Sequence, residues 1–262
     1  MPRAADTVAV QAAIEQSSVI PAEERIFRSG LRRGPIRPWA VASVVLLAHA
    51  ILRFAGLWRP SLIPLSMMLV WPMPWLLSDR HGRHAIGLRR TSLRWLVLGP
   101  LVGLIALATC ALAAWLLFDD SETNWFFQHA LALGRAAEGL PEGSSLAQAF
   151  WFLTAPAMVF SPLAEEILFR GYVLKAFSVG FGSAVGLAVQ AAAFSMLHLA
   201  HYGLRPLQAE LIPLWLTSMF GVALVLGWLV RRSGSLWPAI AAHAVFNLSM
   251  NALTFATFAN LI

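Results

Sequence analysis

Two adjacent glutamates, Glu165 and Glu166, lie inside an otherwise apolar stretch that runs from Phe150 to Phe177, and Arg170 follows four residues after the second. The chain contains 13 acidic residues, and only these two are flanked by apolar sequence on both sides. An ionised carboxylate in the hydrocarbon of a membrane costs on the order of 3 kcal/mol or more. A chain that keeps two such groups side by side is therefore expected to use them.

Two later apolar segments carry histidines at helical spacing. Phe194 precedes His198 by four residues, and His243 precedes Asn247 by four. Residues four apart share one face of a helix, so each segment can turn its polar group toward the interior of a bundle. His201 is a further candidate, because it lies three residues after His198.

Each of these features also has a purely structural interpretation. A Glu/Arg pair in a bundle can be a structural ion pair, and a histidine in a membrane often forms a hydrogen bond between helices. We interpret His49 in this second way. His81, His84 and His129 are predicted to be loop residues without a functional role.

The composition indicates a membrane protein. Of 262 residues, 58% are hydrophobic and only 12% are charged, whereas charged residues make up roughly 25% of a typical soluble domain. The apolar residues fall into blocks of about 20, the length that crosses a bilayer as a helix. We therefore predict an all-α, polytopic transmembrane helix bundle of about seven spans. These are residues 39–58, 62–77, 95–118, 147–177, 183–202, 211–230 and 236–258.

The chain divides into a tail and one transmembrane domain. Residues 1–38 are polar and basic and are predicted to form a mostly disordered cytoplasmic tail, whereas residues 39–262 form the helical domain, with a catalytic core at about 147–258. The tail repeats the acidic spacing in residues 23–28, which we interpret as a solvated charge cluster. Three prolines in the second span, Pro64, Pro72 and Pro74, predict a kinked helix.

Charge in the loops predicts the orientation of the chain. The loop 78–94 is rich in arginine, so the positive-inside rule places it and the basic tail in the cytoplasm. The acidic loop 119–145 fits the outer face. We predict a multi-pass protein integral to the cell (inner) membrane, with a cytoplasmic N-terminus and no nucleic-acid partner. The single cysteine, Cys110, excludes an intramolecular disulfide and a cysteine-based metal site within this sequence.

Three motifs in a fixed order resemble a known family. Glu-Glu-x-x-x-Arg at Glu165–Arg170, Phe-x-x-x-His at Phe194–His198 and His-x-x-x-Asn at His243–Asn247 lie on separate apolar segments. In this order they are similar to the CPBP family of CAAX proteases and bacteriocin-processing enzymes, which includes the type II CAAX prenyl endopeptidases. The resemblance covers roughly residues 150–251, and the first three spans carry no comparable signature.

The resemblance implies an intramembrane endopeptidase. Glu165 would activate a water molecule with help from His198, and Glu166 and Arg170 would be structural or would tune Glu165. His243 and Asn247 would form an oxyanion hole, where each donor is typically worth about 3 kcal/mol.

Use of a metal remains open at this point. If zinc is bound, Glu165, His198 and His243 are its ligands, with a fourth position left open. The histidines lie on separate spans, however, without a local His-Glu-x-x-His arrangement. We favour a metal-free glutamate mechanism without a cofactor and keep zinc as the alternative.

The expected substrate is a peptide or protein that is associated with the bilayer, through a hydrophobic segment or a lipid. Two other classes of function fit buried Glu, His and Arg residues. One is a non-proteolytic transporter or proton-coupled carrier, since such residues also build proton relays. The other is a scaffold that binds a peptide without cleaving it.

Overall fold

The computed structural model describes residues 26–28, 31, 37–119, 121–137, 139–141, 143–201 and 209–259. Within these ranges all regular secondary structure is helical, which confirms the predicted fold class. Most of the tail, whose disorder the sequence predicts, lies outside the described residues.

The helices follow one another with short connections. They are α1 (Pro38–Ala55), α2 (Leu62–Val70), α3 (Met73–Leu77), α4 (Arg80–Ala85), α5 (Leu93–Phe118), α6 (Trp125–Ala137), α7 (Leu146–Glu165), a π-helix (Glu166–Val173), α8 (Leu174–Phe181), α9 (Ser183–Leu197), a 3₁₀ turn (His198–Ala200), α10 (Ile212–Ser233) and α11 (Trp237–Ala259).

Six helical segments of the described chain are long and apolar enough to cross a membrane. They are Pro38–Ala55, Leu93–Phe118, Leu146–Phe181, Ser183–Ala200, Ile212–Ser233 and Trp237–Thr257. These segments agree within a few residues with six of the seven predicted spans. Large apolar side chains such as Leu47, Leu104 and Leu116 are exposed on their outer faces, as expected where the solvent is lipid. The chain is thus an integral, multi-pass membrane protein.

The predicted second span differs from the expectation of one kinked helix. It forms two short helices, α2 of nine residues and α3 of five, which are separated at Trp71 and Pro72. Proline lacks the backbone N–H of a helix and its ring clashes with the preceding turn. Neither helix alone reaches the roughly 20 residues that cross a bilayer.

The acidic segment 119–145 is not the simple loop that the sequence predicts, because it contains α6. Asn124 fixes the start of this helix, since its side-chain oxygen accepts a hydrogen bond from the Phe126 N–H at 3.0 Å. The buried side chains recur at helical spacing: Trp125, Gln128, His129, Ala132 and Leu133. This amphipathic face packs against α11.

Helix α11 is the centre of the bundle, because α5, α6, α7 and α10 all pack against it. The contact with α5 is close. A Cβ added at Gly99 would overlap the carbonyl oxygen of Pro238, and one added at Gly103 would overlap that of Ala242. Small residues at membrane helix interfaces allow such close approach. The position of α11, and of every polar residue on it, therefore depends on these two glycines.

Part of the N-terminal tail docks onto the helical domain. The Ser78 hydroxyl donates to the carbonyl of Ile26 at 2.7 Å, and the ring of Phe27 stacks on Tyr172 at 5.5 Å. Ile26 and Phe27 are 0% and 2% exposed. The interpretation of this stretch as a solvated charge cluster is therefore wrong for these two residues; residues 23–25 lie outside the described ranges.

Candidate active site

The two glutamates lie within one long helical segment, where α-helix changes to π-helix. The candidate span runs without interruption from Leu146 to Phe181, which confirms that the fourth span extends well beyond Glu165. All eight residues of the π-helix are buried. Single wide turns of this kind inside α-helices occur often at functional sites. The transition from α-helix to π-helix thus occurs between Glu165 and Glu166.

Glu166 is fully buried and holds two partners with one oxygen. Its Oε1 accepts hydrogen bonds from Arg170 Nη1 at 3.0 Å and from His243 Nδ1 at 2.9 Å. The Arg170 guanidinium also lies 4.3 Å from the ring centre of Phe194, a cation–π contact. Glu166 and Arg170 together therefore join three membrane segments: the π-helix that carries both, α11 through His243, and α9 through Phe194.

Glu165 is 4% exposed and presents one oxygen to the histidines. Its Oε1 accepts a hydrogen bond from the Ser161 hydroxyl at 2.8 Å. Its Oε2 lies 3.9 Å from Nε2 of His243 and has no hydrogen-bond partner among the described residues. Oε2 is thus the carboxylate atom best placed to accept a proton.

His198 is half-buried and oriented by the backbone of its own helix. Its Nδ1 lies 2.8 Å from the carbonyl oxygen of Phe194, which can only accept, so Nδ1 carries the proton and Nε2 of the neutral ring is an acceptor. Trp215 donates from Nε1 to the His198 carbonyl at 3.1 Å. Glu165 interacts electrostatically with His198 as well as with His243. Glu165 therefore lies near enough to both imidazoles for its charge to act on them.

His243 bridges the two glutamates and is 4% exposed. Its Nδ1–H is donated to Glu166, so Nε2, the nitrogen nearer Glu165, can donate to an oxyanion only when the ring carries both protons. The ring of Phe194 lies 4.2 Å from that of His198 and 5.9 Å from that of His243, measured between centroids. Phe194 therefore separates the two imidazoles and fixes their spacing.

Asn247 lies one helical turn beyond His243 and is half-buried. Its Nδ2 donates one hydrogen to the carbonyl of Ala157 at 2.8 Å, which ties α11 to α7. Asn251, one turn farther on, donates to Thr154 Oγ1 at 3.1 Å. The structure thus brings Glu165, Glu166, Arg170, His198 and His243 together, and it places Asn247 at the edge of this group.

The first span contributes residues that the sequence analysis did not assign to the site. His49 and Arg53 are 3% and 7% exposed and lie one turn apart on α1, which packs against the π-helix. Both interact electrostatically with Glu165. His49 also donates from Nδ1 to the Ser66 carbonyl at 3.2 Å, which confirms the predicted hydrogen bond between helices. One sequence feature could have indicated that His49 and Arg53 belong to the site: they are four residues apart, the same spacing as in the recognised motifs.

A row of aromatic rings lies behind His198. The ring of His201 is 6.4 Å from that of His198 and 4.9 Å from that of His129, and Trp215 packs against all three. Burial lowers the pKa of His129 to about 4 and the pKa of His201 well below its usual value. The prediction that His129 is a loop residue is therefore wrong. It lies in α6, and its ring packs against those of His201 and Trp215.

The described residues of the candidate site do not form a preorganised set of metal ligands. Among the described residues, no three His, Cys, Asp or Glu side chains are grouped so that they could hold a metal ion. Glu165, His198 and His243 do not form such a group. The mechanism proposed below accordingly assigns no step to a metal.

These features define a class: a polytopic helical membrane protein with an acid–imidazole site buried among its spans. Residues 147–249 match the family model Rce1-like, described as type II CAAX prenyl endopeptidase Rce1-like. The resemblance inferred from the motifs is confirmed over this segment, which contains all six candidate residues. The match supports a CAAX-type intramembrane protease. No curated protein and no solved structure showed a significant match to the chain.

Proposed function

We propose that the protein is an intramembrane endopeptidase that uses Glu165 to activate water. One observation carries this proposal: two adjacent buried carboxylates are contacted by a single imidazole, His243, which lies 2.9 Å from Glu166 and 3.9 Å from Glu165. A structural ion pair needs one carboxylate for Arg170, and Glu166 supplies it. Glu165 is then left to face the two histidines and to act as a base.

The reaction follows from the atoms that point into the site. Glu165 Oε2 takes a proton from water while Nε2 of His198 accepts a hydrogen bond from the same molecule. The water oxygen adds to the scissile carbonyl carbon, and the carbonyl electron pair moves onto its oxygen. The second amide hydrogen of Asn247 and the doubly protonated ring of His243 stabilise this oxyanion. The intermediate collapses when the C–N bond breaks and Glu165 returns its proton to the leaving nitrogen.

Glu166 and Arg170 act through His243 in this scheme. Because Glu166 Oε1 receives both Arg170 and the Nδ1–H of His243, the ring cannot rotate without breaking a buried charged hydrogen bond. Such bonds are short and about twice as strong as neutral ones. The pair therefore keeps Nε2 of His243 directed toward Glu165.

The location of the site points to the substrate. Its residues come from candidate spans, so the substrate is a peptide or protein that reaches the site from the bilayer, with a hydrophobic or lipidated segment near the cleaved bond. We also propose that the protein lies in the cell (inner) membrane with its N-terminus in the cytoplasm. The support is the arginine-rich loop 78–94.

The decisive experiment replaces the proposed base. Purified wild-type protein and its Glu165→Gln variant are reconstituted in proteoliposomes and given quenched-fluorescence peptides, hydrophobic and lipidated. Glu165→Gln keeps the shape and removes the base, so cleavage is expected to fall at least about 10²-fold. The exposed residue Glu210 provides the control, because Glu210→Gln is expected to retain activity. Cleavage retained by a correctly folded Glu165→Gln protein would exclude the proposal.

A chelator test addresses the metal. Because the described site residues form no metal-holding group, treatment with a strong chelator followed by its removal is expected to leave cleavage unchanged. The measurement is the initial rate on the same peptides, with elemental analysis of the purified protein. Loss of activity that added Zn²⁺ restores would instead assign Glu165, His198 and His243 as ligands.

A further inference from the structure

One cavity of the described structure is strongly basic, and none of the candidate active-site residues lines it. It has a volume of about 1020 Å³. Five cationic side chains line it: Arg80, Arg83, Arg89, Lys175 and Arg231. None of the described residues that line it is acidic. A concave surface with this charge is suited to an anionic ligand.

A second cavity of about 600 Å³ extends the basic region. It shares His84 and Arg89 with the first cavity, so the two adjoin. Its walls add three more cationic residues: Arg90, Arg94 and Arg232. We call the two cavities together the basic cleft.

The basic cleft lies at one membrane surface. Its residues come from the ends of candidate spans and from the connections between them. Residues 80–95 lead into α5, residues 174–183 comprise α8 and its connection to α9, and residues 231–234 comprise the end of α10 and the start of its connection to α11. Consecutive spans end and begin here, so these connections lie at the level of the lipid headgroups. The ring contact between Trp39 and Phe181 places the start of α1 at the same surface.

Three of the arginines are held in place without carboxylates. Arg83 donates to the Ser78 carbonyl at 3.1 Å, Arg89 to the Gly234 carbonyl at 2.5 Å and Arg231 to the Ser183 hydroxyl at 3.2 Å. These partners orient the guanidinium groups but do not neutralise them. The positive-inside rule explains an excess of arginine in a loop. It does not explain why cationic side chains from three separate segments, 80–94, 174–183 and 231–234, converge on one cleft.

Apolar side chains complete the larger cavity. Leu88, Leu174 and Val179 lie among its cationic residues. A phospholipid presents this same combination of a phosphate and an apolar acyl-glycerol region, whereas a free phosphate ion lacks the apolar part. Basic pockets between transmembrane helices bind anionic headgroups elsewhere.

We propose that the basic cleft binds the headgroup of an anionic phospholipid, with the phosphate held by Arg83, Arg89 and Arg231. The same lipid would contact α8, which continues directly from the π-helix that carries Glu166, and Gly234, which precedes the helix that carries His243. A bound lipid therefore ties together the two segments that position the candidate active site. It would stabilise the folded protein by mass action.

The experiment measures lipid binding to the intact, purified protein by native mass spectrometry and by thermal unfolding in detergent. Phosphatidylglycerol is titrated against phosphatidylcholine, with glycerol phosphate and inorganic phosphate in separate arms. The test variant is Arg89→Gln with Arg231→Gln; both side chains are exposed, and both belong to the proposed phosphate site. The controls are Arg37→Gln, which lies at the same surface outside the cleft, and Arg59→Gln, which lies beyond the other end of α1.

We expect phosphatidylglycerol to bind in preference to phosphatidylcholine and to raise the unfolding temperature. Each arginine near a membrane surface contributes about five-fold in affinity, so the double variant should bind about 25-fold more weakly, and the two controls should bind as the wild type does. Three results would overturn the proposal: no preference for the anionic lipid, equal weakening by Arg37→Gln, or equally tight binding of glycerol phosphate. The last result would assign the cleft to a soluble phosphate compound.

Discussion

At the scale of the residue, the site is defined by which ring nitrogen each histidine presents. His49, His129 and His198 donate Nδ1–H to backbone carbonyls, and His243 donates it to Glu166. In each ring Nε2 is therefore the nitrogen left for another partner, as an acceptor in a singly protonated ring or as a donor in a doubly protonated one. A hydrogen bond at one nitrogen fixes both the tautomer and the orientation of an imidazole. His198 and His243 thus each leave a defined nitrogen, Nε2, for a further partner.

His129 provides a prediction about acid stability. Its pKa is about 4 in the folded protein because it is buried, against about 6.5 in an unfolded chain. The unfolded state therefore binds more protons between these values, and stability falls as the pH drops from about 6.5 toward 4. The loss from this one group is about 3 kcal/mol. The His129→Phe variant should lack this part of the acid sensitivity.

The measurement is the free energy of unfolding in detergent at neutral and acidic pH. His81, whose side chain is exposed, provides the matched control, since His81→Phe should leave the pH dependence as in the wild type. Equal acid sensitivity of the wild type and His129→Phe would show that His129 is not kept neutral by burial.

At the scale of the element, the close contact of α5 with α11 sets the position of His243. The Gly103→Ala variant places a methyl group against the carbonyl of Ala242, the residue before His243. Overpacking of this kind costs about 1–3 kcal/mol and shifts the backbone. We expect lower stability and a lower rate of peptide cleavage.

Gly221→Ala is the control for that substitution, because a Cβ at Gly221, on α10, would meet no atom within 4 Å. Thermal unfolding and initial cleavage rates are measured for both variants. If Gly103→Ala behaves like Gly221→Ala in both measurements, the α5–α11 contact does not position the site.

The sequence predicted the long helices better than the short ones. Apolar blocks of about 20 residues define a span almost by length alone, so α1, α5, α9, α10 and α11 were found within a few residues. Helix α6 was missed because its 13 residues are too few to span and are bounded by acidic, loop-like sequence. Its buried residues do recur at helical spacing in the sequence, as Trp125, His129 and Leu133 show.

The geometry of the site was less accessible to sequence. The motifs identify Glu165, His198 and His243, because each stands out in apolar sequence. The π-helix leaves no comparable signal, since no residue type demands it. Arg53 was overlooked because Glu165, on which its charge acts, lies more than 100 positions away in the sequence, and only the packing of α1 against the π-helix brings the two segments together.

At the scale of the whole molecule, the site draws on spans that the family match does not cover. The matched residues 147–249 contain two carboxylates but only one arginine at the site, Arg170, which is bonded to Glu166. Arg53, from the first span, supplies the second positive charge and interacts with Glu165. The two buried carboxylates are thereby balanced by arginines from two helices, α1 and the π-helix, that lie more than 100 residues apart in the sequence.

This balance predicts energetic coupling between Arg53 and Glu165. Removing one member of a buried pair leaves the other charge uncompensated, whereas removing both does not. The variants Arg53→Met and Glu165→Gln should therefore each lower the free energy of unfolding. The loss in the double variant should be smaller than the sum of the two single losses, by about 0.5–3 kcal/mol.

The measurement is a double-mutant cycle on unfolding free energies, which requires no substrate. Arg59→Met, combined with Glu165→Gln, gives the control cycle, because Arg59 is exposed beyond the end of α1. That cycle should be additive. Additivity in the Arg53 cycle as well would remove the first span from the site.

The π-helix has a consequence for comparing this chain with others. A short π-helix within an α-helix accommodates one extra residue in the same axial length, and one residue corresponds to about 100° of rotation in an α-helix. Consider a related chain in which this helix is α throughout. The residues equivalent to Tyr172 and α8 would face the same neighbours as they do here only if that chain had one residue fewer after the glutamates. An alignment of such chains therefore requires a one-residue gap between Glu166 and Val173, and an alignment without it would pair the wrong side chains from there onward.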